Sequence, residues 1–84
     1  MHYTVILDKH VKQQMKKIDS RYKARIYLQI KELEHDANLG KPLSGKFQGL
    51  RSIRVWPYRI IYEVYEQKLI ILIVEIAHRQ GVYK

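Results

Sequence analysis

Ile53 to Ala77 reads IRVWPYRIIYEVYEQKLIILIVEIA, and this stretch decides the fold. Tyr58 to Tyr65 alternates: Tyr58, Ile60, Tyr62 and Val64 share one face, and Arg59, Ile61, Glu63 and Tyr65 share the other. A period of two is that of a strand whose faces meet different surroundings. Ile53 to Trp56 forms a shorter strand before it. Pro57 breaks or bulges the edge between them, because proline has no N–H to give to a ladder. Glu66 to Lys68 makes a polar turn. Leu69 to Ala77 is apolar on nearly both faces, which suits a central strand covered on both sides, or nearly so.

The pattern changes towards the N-terminus. Tyr3 to Leu7 (YTVIL) is β-branched and aromatic and predicts a first strand. Asp8 can cap a helix in which Val11, Met15 and Ile18 recur at helical spacing, with Lys12, Lys16 and Lys17 turned to water. Asp19 or Ser20 ends that helix and caps a second, which carries Tyr22, Ile26, Ile30 and Leu33 on one stripe. Asn38 to Gly49 is a loop punctuated by Gly40, Pro42, Gly45 and Gly49. The order is β-α-α-β-β-β. It predicts an α+β fold, a helical hairpin packed on one face of an antiparallel sheet, with the other face open and concave. At 84 residues the chain is expected to be a single domain, 1–84.

The formal charge is +8, from 16 Lys and Arg against 8 Asp and Glu. No acid occurs between Ala37 and Tyr62, whereas Lys41, Lys46, Arg51, Arg54 and Arg59 all do. Such a block suits a polyphosphate, an anionic membrane surface or an acidic protein, and a solvated face is the plain alternative. There are no cysteines, which excludes disulfides and thiolate metal sites. No signal peptide is visible, and the longest apolar run, Leu69 to Val74, is far shorter than the roughly 20 residues that span a bilayer. The expectation is a soluble cytoplasmic protein with no membrane partner.

The chemistry is read first from what the chain lacks. It has no glycine-rich phosphate loop, no HExxH, no Cys/His zinc pattern and no GxSxG. His2, His10, His35 and His78 are scattered singly, so neither a metal nor a cofactor is expected. What remains is a set of Arg, Tyr and His. Arg54 and Arg59 flank a Trp-Pro-Tyr corner, and His78, Arg79 and Tyr83 follow the last strand. The planar guanidinium fork donates two bonds at once to phosphate and keeps its charge. A Tyr or His beside it can carry a proton. That inventory suits RNA cleavage by its own 2'-hydroxyl. A base takes the hydroxyl proton, arginines stabilise the pentacovalent phosphorus, and an acid protonates the leaving 5'-oxygen. Against this, a strand arginine is commonly a solvated, snorkelling residue. Trp56 and Tyr58 read as core or edge packing, and Tyr22, Tyr27, Tyr62 and Tyr65 as core or surface packing.

Taken together, KPLSGKFQGLRSIRVWPYRIIYEV (41–64) and LIILIVEIAHRQGVY (69–83) resemble the RelE/ParE toxin superfamily. The shared features are an L-x-G loop at Leu43 to Gly45, an R-V-x-x-Y-R strand pair at Arg54 to Tyr62, an apolar strand, and a terminal H-R-x-x-V-Y at His78 to Tyr83. The resemblance spans essentially the whole chain. It implies the toxin of a type II toxin–antitoxin system, with a cognate antitoxin that covers or displaces the active surface. In the RelE branch it implies a ribosome-dependent endoribonuclease, entering the A site and cutting mRNA without a metal, with ribosome, rRNA and mRNA as partners. Arg59 then falls on the phosphate-binding arginine, Arg79 and Tyr83 on the pair after the last strand, and Arg54 on the preceding basic position. His78 stands where relatives carry His or Lys. Arg51, Lys46 and Lys41 become candidate RNA contacts. Ser52 stands where a second basic residue is common. A ParE-like DNA gyrase inhibitor without nuclease activity, or an inactive toxin fold that binds RNA or antitoxin, would share the fold.

Overall fold

The computed structural model describes residues 2–79. β1 (Thr4–Leu7) leads into α1 (Lys9–Lys17), capped by the Asp8 carboxylate, which accepts the His10 backbone N–H at 3.1 Å. Ile18 closes α1, and Asp19 opens α2 (Ser20–His35) by accepting the Arg21 N–H at 2.9 Å. Of the two caps the sequence allowed for the second helix, Asp19 is the one used.

β2 (Lys41–Pro42), β3 (Arg51–Val55), β4 (Tyr58–Tyr65) and β5 (Ile70–His78) follow, in the spatial order β1-β5-β4-β3-β2. β4 has the predicted limits. β3 runs from Arg51 to Val55 rather than Ile53 to Trp56, because Trp56 and Pro57 form the turn. β5 starts one residue later than expected: Leu69 takes a left-handed conformation (φ 54) to end the 3-10 turn at Glu66–Lys68. Two features depart from the expected antiparallel four-strand sheet. β1 pairs with β5 in parallel, Thr4 opposite Ile70, and the Gly/Pro loop contains the two-residue strand β2, Lys41 opposite Ser52. The sheet is antiparallel elsewhere. A proline is tolerated in β2 because it is an edge strand.

The helical hairpin covers one face. Val11, Met15 and Ile18 of the first helix, with Ile26, Ile30 and Leu33 of the second, pack on Val55, Ile60, Tyr62, Ile71, Ile73 and Ile76. The predicted stripes and the Tyr58/Ile60/Tyr62/Val64 face of β4 all point into this layer. The register between β4 and β5 shifts once. Ile61 opposes Glu75 but Tyr62 opposes Ile73, so Val74 is an extra residue on β5, a β-bulge. Before it Ile71 and Ile73 face the core, and after it Ile76 does.

A second device pins the loop after α2. The buried Tyr62 hydroxyl donates to the Ala37 carbonyl and accepts from the Gly40 N–H, both at 2.9 Å. A Cβ at Gly40 would lie 2.6 Å from that hydroxyl and 2.8 Å from the Ser52 carbonyl, so only glycine fits. Arg51 completes the clamp: its Nε and Nη2 donate to the Gly40 carbonyl at 3.1 and 2.7 Å.

Candidate nucleic-acid interface

The tight turn at Trp56 and Pro57 brings β3 and β4 back side by side, so that Arg54 and Arg59 are directly opposed across the ladder. Like charges in such a pair destabilise the strand pairing. The end of β5 comes to the same corner, because the Arg79 N–H donates to the Pro57 carbonyl at 2.8 Å. The Arg79 guanidinium sits 6.0 Å from the centre of the Trp56 ring, within cation–π range. Arg54, Trp56, Pro57, Tyr58, Arg59 and Arg79 thereby line a cleft of about 210 Å³. None of these lining residues is acidic, so three guanidiniums share one concavity.

A second groove, about 500 Å³, runs from this cleft toward the β2 edge; Arg54 and Arg59 belong to both. Lys41 and Ser52 line it together with the apolar Leu39, Pro42, Leu43 and Ile53. The Ser52 side chain is buried there (5 % exposed), and its Oγ has no hydrogen-bond partner among the described residues. Cations and aliphatic groups lining one groove suit a ligand that is both anionic and flat-faced, as a nucleotide is.

The candidates from the sequence thus divide. Arg54, Arg59 and Arg79 come together, and Lys41 joins them along the groove. Arg51 does not: its guanidinium is committed to the Gly40 carbonyl, with the Asn38 carbonyl at 3.4 Å. Lys46 sits in the 3-10 turn Gly45–Phe47, its ammonium 5.3 Å from the Phe47 ring centre, and lines neither cavity. His78 closes β5 with its ring edge-on to Tyr58 at 5.2 Å, and lines a groove with Gln14 and Lys17 of α1 rather than the arginine cleft. Tyr58 in turn meets Tyr22 edge-on at 5.9 Å. Tyr83 lies outside the described residues.

Trp56 corrects the reading as a packing residue. It is 56 % exposed and forms a wall of the cleft. The signal was present in the sequence, as a tryptophan at a proline turn between two arginines has little core to enter. Tyr58, read the same way, packs on the core and also lines the cleft. No cluster of His, Cys, Asp and Glu able to hold a metal occurs among the described residues.

A family model for the ParE toxin of a type II toxin–antitoxin system, parDE, matches residues 5–83. The chain belongs to this family. Its fold is that of solved toxins of the wider RelE/ParE superfamily. The toxin–antitoxin complex RelBE2 from Mycobacterium tuberculosis contains a chain with TM-score 0.86 and 25 % identity, the alignment covering 94 % of this chain and 100 % of that one. The archaeal RelE–RelB complex from Pyrococcus horikoshii OT3 gives 0.78 and 22 %, covering 94 % and 97 %. A YoeB/ParE toxin from Agrobacterium tumefaciens gives 0.75 and 17 %, covering 89 % and 96 %. No curated protein sequence matches the chain. Like those folds, this ParE-family toxin presents two helices on an open sheet, and no helix among its described residues is long and apolar enough to cross a membrane.

Proposed function

We propose that this toxin is a ribosome-dependent endoribonuclease that cuts mRNA in the A site, in the cytoplasm, and is restrained by a cognate antitoxin. The observation that carries the reading is the cleft in which Arg54, Arg59 and Arg79 converge with no acid among the lining residues. Three guanidiniums lining one cleft match the charge that builds on a phosphorus under attack by the neighbouring 2'-hydroxyl. In this scheme Arg59 and Arg79 hold the scissile phosphate and Arg54 neutralises the charge that develops. The 2'-OH attacks phosphorus, the P–O5' bond breaks, and a 2',3'-cyclic phosphate and a 5'-hydroxyl result. Tyr83 carries the proton, four residues beyond Arg79. His78 supports the site through Tyr58, and Lys41 tracks the strand along the groove. Arg51 and Lys46 are left with contacts to RNA outside the cleft. The antitoxin is inferred from complexes such as the Mycobacterium tuberculosis and Pyrococcus horikoshii structures, whose toxins share this fold.

A second reading, inhibition of DNA gyrase without RNA cleavage, is favoured by one observation: the matching family model is that of ParE. Primer extension on a translating mRNA separates the two. Ribosome-dependent cuts that drop by about 10²–10³-fold in Arg79→Ala are expected for the nuclease. Growth inhibition with no cuts would point to gyrase. Neither cuts nor growth inhibition would leave an inactive toxin fold.

A further inference from the structure

Among the described residues, Ile6, Tyr27, Leu28, Leu39, Tyr65 and Leu69 are exposed large apolar side chains that lie outside the arginine cleft, and Trp56 is the one that lies in it. Its strand neighbours Val55 and Tyr58 pack on the core, and Trp56 does not. Burial is what makes an indole stabilising. This one is more than half exposed, so core packing does not account for it.

The two aromatic residues of the cleft are held differently. Tyr58 is engaged by two rings, edge-on to Tyr22 at 5.9 Å and to His78 at 5.2 Å. Over the Trp56 ring, among the described residues, stands the Arg79 guanidinium, 6.0 Å from the ring centre. Arg79 also lines the cleft with Arg54 and Arg59. Its backbone N–H donates to the Pro57 carbonyl at 2.8 Å, which ties it to the turn that carries the indole. A phosphate bound to that guanidinium therefore brings its own nucleoside beside the Trp56 ring.

We propose that Trp56 is the base-stacking residue of this cleft: its indole stacks on the nucleobase next to the phosphate that Arg79 binds, and biases the toxin towards a purine at that position. The proposal rests on the reading of the cleft as an RNA site and adds the residue that recognises the base. Arginines bind every phosphate alike, so they position a strand without choosing a sequence. Any base can stack on an indole, and a two-ring purine overlaps it more fully than a pyrimidine does. The bias is therefore a few-fold and not absolute. Loss of the ring is expected to weaken binding roughly 5–150-fold, the usual worth of one stacked base.

Shape and charge favour a nucleobase over the other partners of a basic, aromatic surface. A lipid surface is met by rings that project from the protein. Trp56 instead forms a wall of a concavity of about 210 Å³. An acidic peptide satisfies arginines but carries no obligatory flat ring. A strand of nucleotides offers a charge and a plane at every step. The groove of about 500 Å³ that shares Arg54 and Arg59 with the cleft gives the rest of such a strand a path.

Trp56 is the only tryptophan of the chain, so emission excited where tyrosine does not absorb reports this one ring. The full-length toxin is titrated with 2'-O-methyl tetra-adenylate, which has no 2'-hydroxyl to attack, with 2'-O-methyl tetra-uridylate, and with an abasic chain of the same charge. Stacking predicts saturable quenching that is a few-fold tighter for the purine probe than for the pyrimidine one, and roughly 5–150-fold weaker for the abasic chain. Equal quenching by the abasic chain, or no quenching by any of the three, would overturn it. So would an emission shift produced by anionic phospholipid vesicles and not by the oligonucleotides. On translating ribosomes, with each fold confirmed by circular dichroism, Trp56→Phe is expected to keep a weakened purine bias at the cut sites and Trp56→Leu to lose it. An unchanged bias in Trp56→Leu would overturn the stacking and leave the nuclease standing. Base-dependent quenching in a toxin that cuts no mRNA would instead remove the nuclease and leave Trp56 as a base-binding residue.

Discussion

Arg51 and Arg54 stand three residues apart on β3 and have opposite situations. Arg51 is half-buried on the side of Tyr62 and spends its guanidinium on the Gly40 carbonyl, closing the loop after α2. Arg54 is exposed, and its partner across the ladder is another arginine. One residue type thus serves stability at one position and, three residues on, lines a cleft.

The contrast can be tested directly. The largest effect is expected at the cleft. Arg59→Ala should reduce RNA cleavage by about 10²–10³-fold while leaving a cooperative melt, and Arg51→Gln should retain cleavage per folded molecule. Loss of cleavage in both would erase the distinction. Next comes the clamp. Tyr62→Phe leaves the Ala37 carbonyl and the Gly40 N–H without their buried partner and should cost about 1–3 kcal/mol, read as a fall in Tm of roughly 5–20 °C. Arg51→Gln should cost about 1–2 kcal/mol, the share of a charge-assisted bond at a half-buried site. Arg54→Gln should leave stability unchanged or raise it by a few tenths of a kcal/mol, by removing a like-charge pair. A larger loss at Arg54 than at Arg51 in a denaturant titration would reverse the comparison.

The smallest effect lies away from both. The Arg21 backbone N–H, and then the Arg21 guanidinium, hold the Asp19 carboxyl below its ordinary value of 3.8. Its contribution to the α2 cap is therefore complete above that value and fades as the pH falls through the lower folded-state pKa. In Asp19→Ala the melting temperature should fall slightly at neutral pH, and the acid limb of its pH profile should flatten.

Most of the fold could be read from periodicity. The two helix stripes, the alternation of β4 and the apolar β5 each state which face is buried, and each packs as expected. The parallel partner of β1 could not be read. Thr4 and Ile70 are joined only by tertiary folding, and neither segment encodes its neighbour's direction. β2 was hidden because Lys41 and Pro42 have the composition of a loop. At the site, the convergence of Arg54, Arg59 and Arg79 follows from a two-residue turn and a strand end, both visible in the sequence. The position of His78 was not visible. It depends on the bulge at Val74, and Leu69 to Ala77 has no polar alternation in which a change of phase would show.

That bulge works like a shift of reading frame within the strand. Upstream of Val74 the odd-numbered side chains of β5 face the helices; downstream the even-numbered ones do, which is why Ile76 is in the core and His78 rests on Tyr58. Strict alternation through Val74, with no bulge, would turn every later side chain to the opposite face. The imidazole would then be directed to the face that carries Arg54 and Arg59, and Ala77 to the helices. The chemistry at one end of β5 is thus set in part by a single uncharged residue four positions before His78, which touches none of it.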